Sequence, residues 1–221
     1  MNSRLLLLTL GAALLFVLVF SLVLIGSASR TDTELFSSLN GLAANSGIAV
    51  LSSITTQFGS EVILALIGLS LYLLSSKDNT KILIGVVFAI TLSDLVLSIL
   101  KGAYFRPRPY QVLSGVNLPI GQDELSSFPS GHATRAFAVA ALITMQKGKK
   151  YAVVLLLSTT VAVSRVIIGL HFPSDVLAGA FLGIVLAVGS VNFLSKYVYP
   201  RLPPRFFMKG GQDMALKSAA A

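Results

Sequence analysis

The sequence predicts an all-α polytopic membrane protein with six transmembrane helices, and three observations carry that prediction. Of its 221 residues, 54% are hydrophobic and only 12% charged, far from the balance of a soluble domain. The apolar residues gather into six charge-poor runs, at 5–25, 62–74, 82–100, 133–145, 152–169 and 176–194. The basic residues fall mostly between those runs, grouped in alternate gaps.

Run 5–25 holds no charge and meets the roughly 20 residues that a bilayer requires. Arg4 before it and the small residues Gly26, Ser27, Ala28 and Ser29 after it suit a secretory leader. Its apolar core exceeds the about 7–15 residues of such leaders, so it reads as an uncleaved first helix. Runs 62–74 and 133–145 are short, and their ends are the least defined.

Segment 31–58 is too polar to cross and too apolar for a plain loop. Leu35, Leu39 and Leu42, then Leu51, Ile54 and Phe58, recur at helical spacing. This predicts one or two short helices, lying at the membrane interface or packed on the bundle. Gly47 and Gly59 interrupt the pattern. Segment 104–128 carries Pro107, Pro109, Pro119, Gly115 and Gly121, and is expected to be irregular and partly a lid. The basic, then Gly- and Ala-rich, end is expected to fray. One domain over 1–221 follows: a first transmembrane helix at 1–30, an interfacial segment at 31–60, a five-helix core at 61–200 and a flexible basic tail at 201–221.

The absence of Cys excludes disulfides and thiolate metal sites. A net charge of +8 raises the question of nucleic acid, but the cations form no single stripe and none is expected to bind. The positive-inside rule accounts for them instead. With the N-terminus in the cytoplasm, Arg4, Lys77, Lys81, Lys147, Lys149, Lys150, Lys196, Arg201, Arg205, Lys209 and Lys217 share that side. Both termini are then cytoplasmic. The remaining six, Arg30, Lys101, Arg106, Arg108, Arg135 and Arg165, lie on the outer side or at helix ends facing it.

Three motifs cluster there. Lys101 is followed by Arg108-Pro109, Pro129-Ser130-Gly131-His132 opens the fourth run, and Ser164-Arg165 is followed by His171 and Asp175. At a rise of 1.5 Å per residue, Lys81 to Lys101 spans about 30 Å, whereas Lys147 back to His132 spans about 22 Å. His132 and Arg165 are therefore expected to be recessed below the outer rim. Charges at such depth are costly unless paired or functional. Lys101, Arg108 and Arg165 face one carboxylate, Asp175, so the cluster repels itself and an anion relieves it; cations, a Ser-Gly turn and two imidazoles suit phosphate.

The ordered triple resembles the three-part signature of the type 2 phosphatidic acid phosphatase (PAP2) superfamily, in its integral-membrane lipid phosphatase branch. The resemblance implies a phosphohistidine on His171, oriented by Asp175, with His132 protonating the leaving oxygen and then activating water. It implies that Lys101, Arg108, Arg165, the Ser130 hydroxyl and the Gly131 amide hold the phosphoryl oxygens. No metal and no cofactor are expected. Expected partners are a lipid phosphate substrate and membrane lipids. Arg135, one turn past His132, reads as a contact to a second phosphate or a head group or as a snorkelling cation, and Asp94, inside the third run, as the partner of a buried cation or polar group.

The expected activity is hydrolysis of a lipid phosphate or diphosphate at the extracytoplasmic face of a bacterial inner membrane. Undecaprenyl diphosphate, phosphatidylglycerol phosphate and phosphatidate are the candidate substrates. Two rivals stand beside it: a lipid-diphosphate-dependent phosphotransferase, and a transporter that binds lipid phosphate without cleaving it. A vanadium haloperoxidase is disfavoured by the membrane spans.

Overall fold

The structure is a computed structural model and describes residues 3–26, 29–74, 80–122 and 126–203. Lys77 and the tail from residue 204 onward lie outside them. Nine α-helices follow one another among the described residues: α1 Ser3–Leu24, α2 Ser29–Gly41, α3 Ser46–Thr55, α4 Glu61–Leu73, α5 Thr80–Ala103, α6 Pro109–Val112, α7 Gly131–Lys147, α8 Val153–Ile167 and α9 Pro173–Phe193. Six of them, α1, α4, α5, α7, α8 and α9, coincide with the six apolar runs.

Among the described residues, four segments are long and apolar enough to cross a membrane: Leu5–Leu24, Thr80–Ala103, Lys149–Ile167 and Pro173–Arg201. A fifth is counted if Ser46–Gly59 and Glu61–Leu73, which meet at 64°, form one broken span. The count of six is thus not reached by length and composition. The reason lies in α7, which is 17 residues long and carries His132, Thr134, Arg135 and Thr144. It is the central helix, with Ala133, Thr134, Ala136 and Ala138–Ile143 buried against its neighbours, so most of its surface meets protein rather than lipid. The outer helices show the opposite pattern. Leu7, Leu8, Leu14 and Val17 of α1 are exposed.

The packing of α7 on α9 is set by small residues. A Cβ on Gly179 would stand 2.7 Å from the Ser130 carbonyl oxygen, and one on Gly183 would collide with the Thr134 carbonyl oxygen. These glycines are four apart, on one face of α9, so the two backbones approach with no side chain between them. Ser130 N donates to the Asp175 carbonyl oxygen at 3.0 Å, which locks the two helix starts together. A second cluster, Leu64, Val86, Ala89, Val139, Leu142 and Ala187, joins α4, α5, α7 and α9 lower in the bundle.

The segment before α4 folds as α2 and α3, each followed by a short 3-10 piece. Leu35, Leu42, Leu51, Ile54 and Phe58 point outward, while Asp32, Phe36 and Asn40 of α2 point inward. Most of the apolar stripe that predicted these helices therefore faces away from the protein, while Leu39 packs against the cluster around Phe36 and Phe172. Asn40 Nδ2 donates to the carbonyl oxygens of Asn117 and Ile167, both at 2.8 Å, and Asn40 Oδ1 accepts from Asn117 N at 2.9 Å. This one side chain fastens α2 to the loop after α6 and to the end of α8. The loop is further held by Phe20 of α1, whose ring stacks on Phe128 at 5.3 Å.

Candidate active site

The predicted residues are delivered by helix ends. Lys101 lies in the last turn of α5 and Arg165 in the last turn of α8. His132 lies in the first turn of α7. The start of α9 is capped from within: Phe172 is the N-cap, Pro173 supplies a pre-set φ, and Asp175 Oδ2 accepts from Phe172 N at 2.8 Å. Local helix-start chemistry thus fixes Asp175, with His171 just ahead of it. Arg108 is fixed similarly, since its N donates to Gln111 Oε1 at 2.7 Å as Pro109 opens α6.

Lys101, Arg108, Gly131, His132, Arg165 and His171 line one cavity of about 570 Å³. Four sequence-distant helix ends thus meet at a single place. Ser130 and Asp175 are buried beside the lining residues Gly131 and His171. The Ser130 hydroxyl is fully buried with no hydrogen-bond partner among the described residues. Asp94 and Arg135 line the same cavity. Arg135 Nε donates to Asp94 Oδ1 at 2.6 Å, and Arg135 Nη2 lies 3.3 Å from Glu61 Oε2, so Asp94 does partner a cation.

Arg108 and Arg165 are buried, Lys101 is half-buried, and all three are directed. Arg108, 1% exposed, donates from Nη1 to the Leu170 carbonyl oxygen at 2.9 Å and approaches His171 Nε2 at 3.2 Å. Arg165 Nη1 donates to Thr56 Oγ1 at 3.1 Å. Lys101 Nζ donates to the Ser126 carbonyl oxygen at 2.5 Å. Burial, followed by the charges of Arg165, Arg108 and Lys101, pushes His171 well below the ordinary imidazole range, so the ring is neutral with a lone pair available. Its Nδ1 lies 3.5 Å from Asp175 Oδ2. That is longer than a hydrogen bond and within ion-pair range.

Sequence reasoning missed the group that holds Asp175. Arg106 Nη1 donates to Asp175 Oδ1 at 2.5 Å and to Ser174 Oγ at 2.7 Å, and Nη2 donates to Asp32 Oδ2 at 2.7 Å. Burial works against the Arg106 charge, but Asp175 and Asp32 outweigh it and hold the guanidinium above its ordinary range. The doubled Arg-Pro of Arg106-Pro107-Arg108-Pro109 was the available signal for Arg106. Nothing local marks Asp32.

Cations and imidazoles converging at helix ends within a bundle of membrane-spanning length define an oxyanion-handling membrane protein. The chain belongs to the PAP2 superfamily, whose profile matches residues 82–199, more than half of the sequence and all three motifs. It is 32% identical over 123 residues to the Bacitracin transport permease protein BcrC of Bacillus licheniformis, covering 55% of this chain and 61% of that protein. To Undecaprenyl-diphosphatase BcrC of Bacillus subtilis it is 30% identical over 158 residues, covering 69% of this chain and 79% of that one. The crystal structure of Aquifex aeolicus LpxE superposes with a TM-score of 0.64 at 28% identity, over 72% of this chain and 93% of that chain.

Proposed function

We propose that this protein is a metal-independent membrane phosphatase that hydrolyses a lipid phosphate or diphosphate through a phosphohistidine on His171. The observation that carries the reading is the shared cavity, in which Lys101, Arg108 and Arg165 surround two imidazoles. His171 Nε2 faces Arg108 within it. The ring nitrogen attacks phosphorus as the bond to the leaving oxygen breaks, and His132, protonated once the bound phosphate offsets the surrounding cations, supplies that oxygen's proton. His132, now neutral, takes a proton from water, which displaces phosphate from His171 and restores both rings. Lys101, Arg108, Arg165, Gly131 N and Ser130 Oγ hold the phosphoryl oxygens as charge develops.

An isoprenoid diphosphate is the favoured substrate, because the Bacillus subtilis relative that matches over 79% of its length is named an undecaprenyl-diphosphatase. Phosphatidylglycerol phosphate and phosphatidate are the other candidates. The proposed topology keeps six crossing helices, both termini cytoplasmic and the cavity extracytoplasmic, on the segregation of Lys and Arg. The whole chain acts as one catalytic unit.

Purified protein incubated with a panel of these lipids, with and without EDTA, tests the reading. Phosphate release from a lipid diphosphate unaffected by EDTA is expected. Faster hydrolysis of soluble phosphates would defeat the lipid assignment, and little free phosphate without a lipid acceptor would mark a phosphotransferase. The Bacillus licheniformis relative is named a transport permease, which favours a second reading as a transporter. That reading predicts no phosphate release and lipid movement that survives His171→Ala.

A further inference from the structure

We propose that Asp32, on α2, is a positioning residue for the His171–Asp175 pair. It acts through Arg106 and Ser174 and supplies a second negative charge that favours positive charge on His171 as its ring nitrogen bonds to phosphorus. This role rests on the phosphatase reading. Asp32 lies outside the family-matched segment 82–199, so the inference comes from the geometry of this chain.

Both carboxylate oxygens of Asp32 are committed to residues flanking Asp175. Oδ1 accepts from Ser174 N at 2.9 Å, and Oδ2 accepts from Ser174 Oγ and from Arg106 Nη2. Arg106 bridges Asp32 and Asp175 with its two terminal nitrogens and lies over the Phe172 ring, 4.5 Å from its centroid. Asp32 is 4% exposed and Asp175 0%, so this is not a solvated surface pair.

Charge counting separates a positioning role from a mere fastening of α2. Arg106 with Asp175 alone is neutral, and a neutral pair does little for a ring becoming cationic. Arg106 with both carboxylates ionised carries a net negative charge, and Asp175, its end nearest the ring, lies 3.5 Å from His171 Nδ1. Burying that second carboxylate is costly, and the cationic imidazole of an N–P bond is the species it stabilises. In the resting state the surplus faces a neutral ring. During attack it faces an imidazolium, so the stabilisation grows toward the transition state.

The test uses the purified full chain as wild type, Asp32→Asn, Ser174→Ala and, as a control on the same helix, Glu34→Gln, which removes an exposed charge paired with Arg30. Inhibition by orthovanadate and by inorganic phosphate is compared alongside turnover of a lipid diphosphate. Vanadate becomes five-coordinate by bonding to an imidazole nitrogen and so reports the ring's capacity for positive charge, whereas phosphate fills only the cationic cradle. In Asp32→Asn the vanadate inhibition constant rises about tenfold while that for phosphate stays within about twofold, and kcat falls at steady KM. Parallel weakening of both inhibitors, or no change in either, overturns the proposal. If Asp32→Asn does not fold, Ser174→Ala decides, with about a threefold rise in the vanadate-to-phosphate ratio expected and an unchanged ratio overturning the role. A wild type that releases no phosphate and ignores vanadate removes the phosphatase reading itself, and the role with it.

Discussion

Arg108 Nη1 stands 3.2 Å from His171 Nε2. A guanidinium only donates, so Nε2 carries the lone pair and the ring proton sits on Nδ1, toward Asp175. The side chain that cradles an incoming phosphoryl group thereby also sets the tautomer of the nucleophile. Arg108→Lys keeps the charge but loses the planar fork, and about a hundredfold loss of kcat is expected. Steady-state phosphate release from a lipid diphosphate measures it, and Arg108→Lys within threefold of wild type would count against this role.

His171→Ala and His132→Ala remove the two proposed chemical groups. Turnover should fall by about 10³ or more in each, with the thermal unfolding midpoint near that of wild type. A single-turnover acid quench should trap phosphoprotein in wild type and not in His171→Ala.

The depressed affinity of His171 for protons has two consequences in pH. Because Arg165, Arg108 and Lys101 add to burial in keeping the ring neutral, its nucleophilicity persists as pH falls below the ordinary histidine value of about 6.5. An acid limb set by this group lies below that value. Stability moves in the opposite sense: the unfolded chain protonates first, so the contribution of a buried neutral ring is full above about 6.5 and declines as pH falls toward the folded value. Phosphate release and the unfolding midpoint, followed from pH 8 to 5, should separate, with the midpoint falling while the initial rate still holds.

Asp94 offsets the charge of Arg135 at the cavity through its 2.6 Å contact. Both are part of the lining, and removing a half-exposed carboxylate raises the local positive potential. Asp94→Asn should lower KM for an anionic substrate by about threefold, the range set by partly exposed ion pairs. A raised KM would reverse the assignment.

Gly183→Leu should be the most damaging change far from the chemistry. Its side chain would meet the Thr134 carbonyl oxygen and Ala138 N, prying α7 from α9 and carrying His132 away from His171. Overpacking of this kind costs about 1–3 kcal/mol or more, visible as a lowered unfolding midpoint together with lost turnover.

How far the site could be read from sequence depends on whether a residue's partner is local. His132, Arg165, His171 and Asp175 were legible because each sits at the end of an apolar run, where charge is expensive and therefore conspicuous. Asp94 was conspicuous as a charge inside an apolar run. Asp32 was not: its partner Ser174 is 142 positions away, and the exposed Leu35 and Leu42 drew attention to the opposite face of α2. In a bundle bordered by lipid, the apolar face turns outward and the polar face turns inward. Among the described residues, length and composition mark only four or five of the six spans, because α7, shielded on most sides, had no need to be long or apolar.

Asn40 holds two separate parts of the molecule with one amide, the loop at Asn117 and the end of α8 at Ile167. Helix α2 is thus stitched into the rest rather than laid against it. A chimera that exchanges this helix between relatives must therefore bring a matching amide and a matching Asn117 backbone, or it will inherit a foreign clasp that closes on nothing.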